Sequence, residues 1–216
     1  GELFTRDYQG AEVDALRSPA SRAVSVEAWS WHVATITNIT PNHLDRHPTM
    51  DDYALAKWRI LEAQGADDWA VLNGDDARTR EMGARAPARV LWFSLRGPVS
   101  AGAYLAGDQL RVRHSGGEQL LCARAELTLR GMHNVANVLA AACCATACGA
   151  SLDAQRRVAT TFRGVAHRLE TVGVRRGVTY VNDSIATSPE RAVAALRAYD
   201  ESLILLAGGR DKHLDW

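Results

Sequence analysis

Cysteine is scarce in this 216-residue chain, which holds only Cys122, Cys143, Cys144 and Cys148. Three of the four lie in one stretch of small residues, and none forms a Cys-x-x-Cys pair. A disulfide framework is therefore not expected, and a reduced, cytoplasmic compartment is the better prediction.

Long apolar runs and clusters of one charge are also missing. No apolar run approaches the roughly 18 residues that a membrane helix needs, and residues 1–24 lack the apolar core of a signal peptide. The formal net charge is zero, without a block of lysine and arginine. We therefore expect neither a membrane nor a nucleic-acid polymer as a partner, and we expect a monomer.

A third absence concerns nucleotide chemistry. The chain contains no Gly-Lys dipeptide, so the phosphate loop G-x-x-x-x-G-K-[ST] is not present.

Short apolar runs separated by helical patterns predict an α/β fold with a parallel sheet. The runs are Ala23–Glu27, Val33–Ile39, Trp69–Asn73 and Val90–Phe93. Thr49 and Asp52 have capping-box spacing and predict the start of a helix that ends near Gly65. Tyr53, Ala56, Ile60 and Leu61 are assigned to one face of that helix.

Polar residues follow three of these strands. Glu27, His43 and Asn73 each come just after a strand, and ligands of parallel sheets bind beyond the carboxyl ends of the strands. The sequence therefore predicts a site at this edge.

The texture changes after Tyr104. Alternating runs punctuated by glycines predict a small antiparallel insertion up to Leu129. A long alanine-rich helix is expected from Gly131 to Gly149, followed by a helix over Leu152–Phe162.

A domain boundary is predicted at residues 164–168, dividing the chain into residues 1–164 and residues 165–216. The second unit is read as strand Val178–Asn182, a helix that begins at Ser188-Pro189, and strand Leu203–Ala207. Such a unit should be a right-handed crossover between adjacent parallel strands, with Asp183 and Lys212 at one edge.

The stretch from Asn38 to Lys57 carries the strongest chemical signal. His43 and His47 have zinc-like spacing, but the glutamate of the H-E-x-x-H motif is absent and prolines flank the pair. A turn histidine facing a hard cation or phosphate is favoured over zinc. Lys57 is either an ordinary surface lysine or, if buried, an amine that loses its charge and forms a carbamate with carbon dioxide. A carbamate would be an oxygen ligand suited to magnesium.

Three further residues have two readings each. Asn134 and Asn137 lie one turn apart, and their amides could read the edge of a base; alternatively, Asn134 caps the helix. Asp183 could accept hydrogen bonds from ribose hydroxyls or cap a turn.

Taken together, the motifs resemble those of the Mur ligases. The matching stretches are Asn38-Ile-Thr-Pro-Asn-His-Leu-Asp-Arg-His47, Tyr53-x-x-Ala-Lys57-x-Arg-Ile60, Asn73-x-Asp-Asp76, Gly131-x-His-Asn134-x-x-Asn137, His167-Arg-x-Glu170, Asn182-Asp-Ser-x-Ala-Thr187 and Gly208-Gly-x-Asp-Lys212. They run from about Val26 to the end of the chain.

The resemblance implies an ATP- and Mg²⁺-dependent ligase of peptidoglycan synthesis, most similar to members that join D-glutamate to UDP-N-acetylmuramoyl-L-alanine through an acyl phosphate. By this resemblance, Glu27, His43 and carbamylated Lys57 hold magnesium, with His43 and Lys57 counted as catalytic. The remaining assignments are Asn134, Asn137, Arg168 and Asp183 for ATP, and Thr187 and Lys212 for D-glutamate.

The resemblance also implies that residues 1–164 are an incomplete mononucleotide-binding domain and that residues 165–216 are part of a Rossmann-like domain. The family's phosphate loop, its N-terminal domain and most of its C-terminal domain have no counterpart in the chain, so we expect a fragment that is inactive alone. Three alternatives stay open. They are another member of the wider family, such as a folylpolyglutamate synthase, a non-catalytic nucleotide-binding module, and a carbamylated-lysine metal hydrolase.

Overall fold

The computed structural model describes residues 31–40 and 47–209. We number the elements in chain order: β1 (Val33–Ile36), α1 (Met50–Glu62), β2 (Trp69–Asn73), α2 (Ala77–Arg85), β3 (Arg89–Ser94), β4 (Gly102–Ala106), β5 (Gln109–His114), β6 (Gly117–Ala123), a 3-10 turn (Arg124–Glu126), α3 (Met132–Ala147), α4 (Leu152–Thr161), β7 (Glu170–Arg175), β8 (Val178–Asn182) and α5 (Pro189–Leu196).

Strands β1 to β6 form one sheet in sequential order. The pairs from β1 to β4 are parallel, whereas β4–β5 and β5–β6 are antiparallel. The predicted α/β class with a parallel sheet is confirmed. The antiparallel hairpins extend the main sheet instead of standing apart from it.

The sheet has helices on both faces, because alternate residues of a strand point to opposite sides. Val71, Leu91 and Phe93 pack in one cluster with α3, whereas Ala70 and Leu72 pack in another with α1 and α2. The result is a three-layer arrangement of helices, sheet and helices.

Helix α1 begins as predicted: Thr49 is its N-cap, and the Thr49 hydroxyl accepts a hydrogen bond from the Asp52 N–H at 3.1 Å. Its buried residues are Ala54, Trp58 and Leu61, one turn apart along a single face. The predicted face was wrong in part, because Ala56 and Ile60 are exposed. Only Leu61 of that group is fully buried.

The second unit differs from its prediction. Strand β8 and the Ser188-Pro189 start of α5 are confirmed, but β8 pairs antiparallel with β7. The predicted strand Leu203–Ala207 and its parallel crossover are wrong for the described residues, where this segment has no regular structure. No neighbouring strand is paired with it, and Ile204 and Leu206 are more than 90% exposed.

Several predictions lie outside the described residues: the strand Ala23–Glu27, the histidine His43 and the lysine Lys212. The division of the chain after residue 164 remains a prediction. Among the described helices, none combines the length and apolar character required to span a bilayer.

Candidate functional site

The carboxyl edge of the parallel sheet is a network of polar side chains. Asn73 ends β2, as predicted, and its amide donates a hydrogen bond to the Thr37 carbonyl at 2.9 Å. Its side-chain oxygen accepts one from the Asp75 N–H at 2.8 Å. Asn73 thus ties the end of β2 to the chain that follows β1.

The two aspartates of this edge have separate tasks. Asp76 caps α2 and also accepts a hydrogen bond from the Ile39 N–H at 3.0 Å. Asp75 accepts hydrogen bonds from the Ser94 hydroxyl and the Leu95 N–H, each at 2.7 Å. Both carboxylates therefore hold together the backbone at the ends of β1, β2 and β3.

Lys57 is exposed, which contradicts the premise that burial would remove its charge. Its amine nitrogen lies 5.1 Å from the centroid of the Tyr53 ring, within cation–π distance. Lys57 is exposed because of helical spacing: it lies at the border of the face formed by the buried residues Ala54, Trp58 and Leu61. Tyr53 also stacks near His47, with ring centroids 5.3 Å apart.

A second candidate region is a pocket of about 530 Å³ between α3, α4 and the segment that follows α4. Its wall is mostly apolar, with Val138, Val158 and Phe162 among the lining residues. Its polar groups include three residues that the sequence assigned to ATP, namely Asn134, Asn137 and Arg168. The fold thus brings together three residues that are up to 34 positions apart in the chain.

Asn134 is not the helix cap. Gly131 occupies the N-cap position with a φ of 88°, and Asn134 lies inside the first turn, only 6% exposed. Its amide donates a hydrogen bond to the Arg130 carbonyl at 2.7 Å, while its oxygen lies 3.4 Å from the Asn137 amide. The capping alternative is therefore wrong, and the two amides form a short hydrogen-bonded series.

Arg168 lies between two strained residues. His167 and Leu169 have φ angles of 65° and 46°, in the left-handed region that residues other than glycine seldom adopt. Such strain persists only where surrounding contacts hold it, and it is concentrated at functional sites. Two contacts hold it here: the His167 N–H donates to Glu170 at 2.7 Å, and the Leu169 N–H donates to Asp183 at 3.0 Å.

The last of these bonds ties Asp183 to the same turn. Its carboxylate is only partly exposed and receives the Leu169 N–H, so one oxygen serves the backbone. Thr187 is exposed and directly precedes Ser188, the N-cap of α5. Both residues lie on the β8–α5 connection.

His133 was quoted in a motif but given no role from the sequence. Burial lowers the pKa of His133 most strongly, the Asp183 carboxylate raises it, and the Arg168 guanidinium lowers it. The half-buried imidazole thus interacts electrostatically with Asp183 and Arg168, two of the four residues predicted to hold ATP. The signal that could have found it is its place beside Asn134 in the Gly131-x-His-Asn stretch.

The predicted metal ligands are not assembled in the described part of the chain, because Glu27 and His43 lie outside it. Within residues 31–40 and 47–209, no three His, Cys, Asp or Glu side chains come together as a metal site.

A parallel α/β sheet beside a mostly apolar pocket with a few amides and one guanidinium defines a class of small-molecule-binding domain, of the kind that holds nucleotides. Residues 12–145 match the Mur ligase middle domain. The chain therefore belongs to the Mur ligase family, as the sequence motifs predicted.

Curated relatives of the chain share one enzyme name within this family. The chain is 46% identical over 181 residues to the UDP-N-acetylmuramoylalanine--D-glutamate ligase of Clostridium novyi (strain NT), which covers 84% of this chain and 38% of the relative. It is 45% identical over 190 residues to the ligase of the same name from Roseiflexus sp. (strain RS-1), covering 84% and 41%. The chain thus spans about two fifths of the length of these relatives.

A solved structure shows the same fold. The MurF ligase of Thermotoga maritima, in complex with ADP, superimposes with a TM-score of 0.59 at 20% identity, over 78% of this chain and 39% of that one.

Proposed function

We propose that this chain is part of an ATP-dependent ligase that joins D-glutamate to UDP-N-acetylmuramoyl-L-alanine. Its curated relatives carry the name of that enzyme at 45% and 46% identity. The observation that carries the proposal is the single pocket that gathers Asn134, Asn137 and Arg168.

The pocket suits the base and phosphates of ATP. A flat base fits an apolar wall, and the amide of exposed Asn137 can donate to and accept from its edge. The Arg168 guanidinium is permanently charged and matches phosphate oxygens. The partly exposed Asp183 carboxylate would accept hydrogen bonds from ribose hydroxyls.

The proposed reaction has two steps that balance. The carboxylate of UDP-N-acetylmuramoyl-L-alanine takes the γ-phosphoryl group of ATP, which releases ADP and forms an acyl phosphate. The amine of D-glutamate then attacks the acyl carbon, phosphate leaves, the amine loses a proton, and an amide remains. Thr187 and Lys212 would hold the D-glutamate carboxylates, Lys212 as a point charge.

Magnesium belongs to the proposal as a cofactor. Glu27, His43 and a Lys57 carbamate would hold it, and this set, rich in oxygen, suits a hard cation. When bound, the ion neutralises charge around the transferring phosphoryl group. The exposed position of Lys57 leaves room for carbon dioxide to reach its amine. A cytoplasmic, monomeric protein is part of the same proposal.

The test is an assay of the full-length protein that contains this chain. ADP and phosphate release should require both UDP-N-acetylmuramoyl-L-alanine and D-glutamate, and L-glutamate or D-alanine should not replace D-glutamate. Binding of Mg-ATP without any release would instead identify a non-catalytic nucleotide-binding module. The 216-residue chain alone should show no turnover, because it contains no G-x-x-x-x-G-K-[ST] phosphate loop; turnover by it would contradict this expectation.

A further inference from the structure

Arg130 directly precedes the N-cap of α3, and its side chain contacts Tyr199 and Glu201, which follow α5. One guanidinium nitrogen lies 2.8 and 3.1 Å from the two carboxylate oxygens of Glu201. The guanidinium carbon also lies 5.0 Å from the centroid of the Tyr199 ring. In accord with these contacts, the Glu201 carboxylate raises the pKa of Arg130, and the Arg130 guanidinium lowers the pKa of Glu201.

The backbone of the same residue holds Asn134. The Arg130 carbonyl accepts the hydrogen bond from the Asn134 side-chain amide at 2.7 Å, and the Asn134 oxygen faces the Asn137 amide at 3.4 Å. The side chain and the carbonyl of Arg130 therefore join two groups that are 67 residues apart, Asn134 and Glu201.

The neighbouring backbone has little room to shift. A Cβ on Gly131 would lie 2.9 Å from the Ala198 Cβ and 2.8 Å from the His133 ring. Because Ala198 directly precedes Tyr199, the same segment packs against Gly131 and contacts the Arg130 side chain. A displacement of that segment would therefore move the carbonyl that orients Asn134.

We propose that Arg130 is a positioning residue. Its side chain is fixed by segment 198–201, and its carbonyl in turn fixes the orientation of the Asn134 side-chain amide. The proposal rests on the proposed function, in which Asn134 and Asn137 read the nucleotide base. It assigns Arg130, Tyr199 and Glu201 a task that does not involve touching the nucleotide.

A positioning role and a merely structural role predict different effects on global stability. The Arg130 and Glu201 side chains are 54% and 59% exposed, and exposed ion pairs contribute little to global stability. Removing the pair should thus leave the melting temperature nearly unchanged. The change should appear locally, at the Asn134 amide.

The first measurement is the nuclear magnetic resonance signal of the Asn134 side-chain amide in ¹⁵N-labelled full-length protein, assigned with N134D. R130M and E201Q should both shift this signal and speed its hydrogen exchange. The matched control is R156M, which removes another exposed ion pair, between Arg156 and Glu126 at 2.7 Å, and should leave the signal in place. An unchanged Asn134 signal in R130M would overturn the proposal.

A conservative variant adds a second criterion. R130K keeps a positive charge for Glu201 but lacks the planar group that stacks on Tyr199. If the ion pair with Glu201 fixes the Asn134 amide, the Asn134 signal of R130K should lie close to its position in the unsubstituted protein. A spectrum of R130K identical to that of R130M would contradict the part assigned to Glu201.

Nucleotide affinity gives an independent readout. Calorimetry with Mg-ATP should show a Kd about threefold higher for R130M, as expected for the loss of one exposed pair, with R156M unchanged. If the unsubstituted protein binds no Mg-ATP, the proposed function fails, while the amide signal still decides the role of Arg130. If it binds and R130M matches it, the coupling to the nucleotide is refuted.

Discussion

Among single residues, Glu118 is a carboxylate that three neighbouring side chains hold in place. It lies 2.6 Å from Arg111 and 2.5 Å from Arg113, and the Tyr104 hydroxyl donates to it. The hydrogen bond from Tyr104 is the largest cause that lowers the pKa of Glu118 to about 2, followed by those from Arg113 and Arg111. This group joins β4, β5 and β6 across the antiparallel part of the sheet.

Acid should therefore weaken the protein through Glu118. Because its pKa is lowered on folding, the stabilisation is complete above pH 4.5 and is lost as the pH falls from 4.5 towards about 2. E118Q should be less stable at neutral pH and should show a flatter dependence in this range. Denaturant unfolding at several pH values checks this, with E62Q as the control, because Glu62 is an exposed carboxylate at the end of α1. Parallel curves for E118Q and the unsubstituted protein would contradict it.

His133 should cause a second loss of stability at a higher pH. Burial lowers its pKa from the ordinary value of 6.5, so the unfolded chain binds its proton first. Stability should fall as the pH drops below 6.5, and H133Q should remove that part of the dependence. Thermal melting across this range is the measurement. A dependence that survives unchanged in H133Q would show that another group is responsible.

Lys57 offers a direct chemical test, since Lys57 and Lys212 are the only lysines of the chain. With ¹³C-bicarbonate, we expect a carbamate signal that K57R abolishes and K212R leaves in place. The signal should weaken at acid pH, because carbamates lose carbon dioxide when protonated. An unmodified Lys57 amine in concentrated bicarbonate would count against the proposed magnesium ligand.

Among the elements, strand β4 depends on one glycine. Gly102 has a φ of 128°, and a Cβ there would lie 1.9 Å from the Trp92 carbonyl oxygen of β3. β4 pairs parallel with β3 over only three residues, starting at Trp92 and Gly102. After β3 ends at Ser94, the chain therefore has to run back only to the level of Trp92 before β4 begins. The close approach at Gly102 makes that return possible.

G102A should therefore destabilise the sheet by at least about 2 kcal/mol, from backbone strain and from the collision with Trp92. Chemical denaturation measures the loss. G107A is the control, because Gly107 also has a positive φ but open space around it. Equal losses in the two variants would show that strain alone, and not the contact with Trp92, decides the effect.

Elements with local signals could be predicted from the sequence. β2 has the predicted bounds. Thr49 caps α1 through its side chain, an interaction that spans only three residues. Ser188 precedes Pro189 at the start of α5, where the proline ring fixes a helical φ. The segment Leu203–Ala207 was wrong because an apolar run forms a strand only when a neighbouring strand pairs with it. The pair of Arg130 and Glu201, 71 residues apart, has no local signal at all.

The site shows the same limit. Motif resemblance selected Asn134, Asn137 and Arg168, and the fold gathers them in one pocket. It did not show that Lys57 is exposed, that Gly131 caps α3, or that His133 lies near Asp183 and Arg168. Those facts depend on packing between elements, which spacing along the chain does not encode.

For the whole molecule, the pocket matters because it brings α3 and α4 together with Arg168, which lies between α4 and β7. A ligand bound there would contact both helices and Arg168, so it should stabilise these parts of the chain together. The contacts of Arg130 with Tyr199 and Glu201 reinforce the same junction.

Mg-ATP should therefore raise the melting temperature of the full-length protein as a single transition, since a ligand at about 100 times its Kd adds about 2.7 kcal/mol. N137A and R168A should lose most of this shift, because one removes the amide for the base and the other the charge for the phosphates. R163A is the control: Arg163 lies five residues before Arg168 and does not line the pocket. A shift retained in both N137A and R168A would place the nucleotide elsewhere.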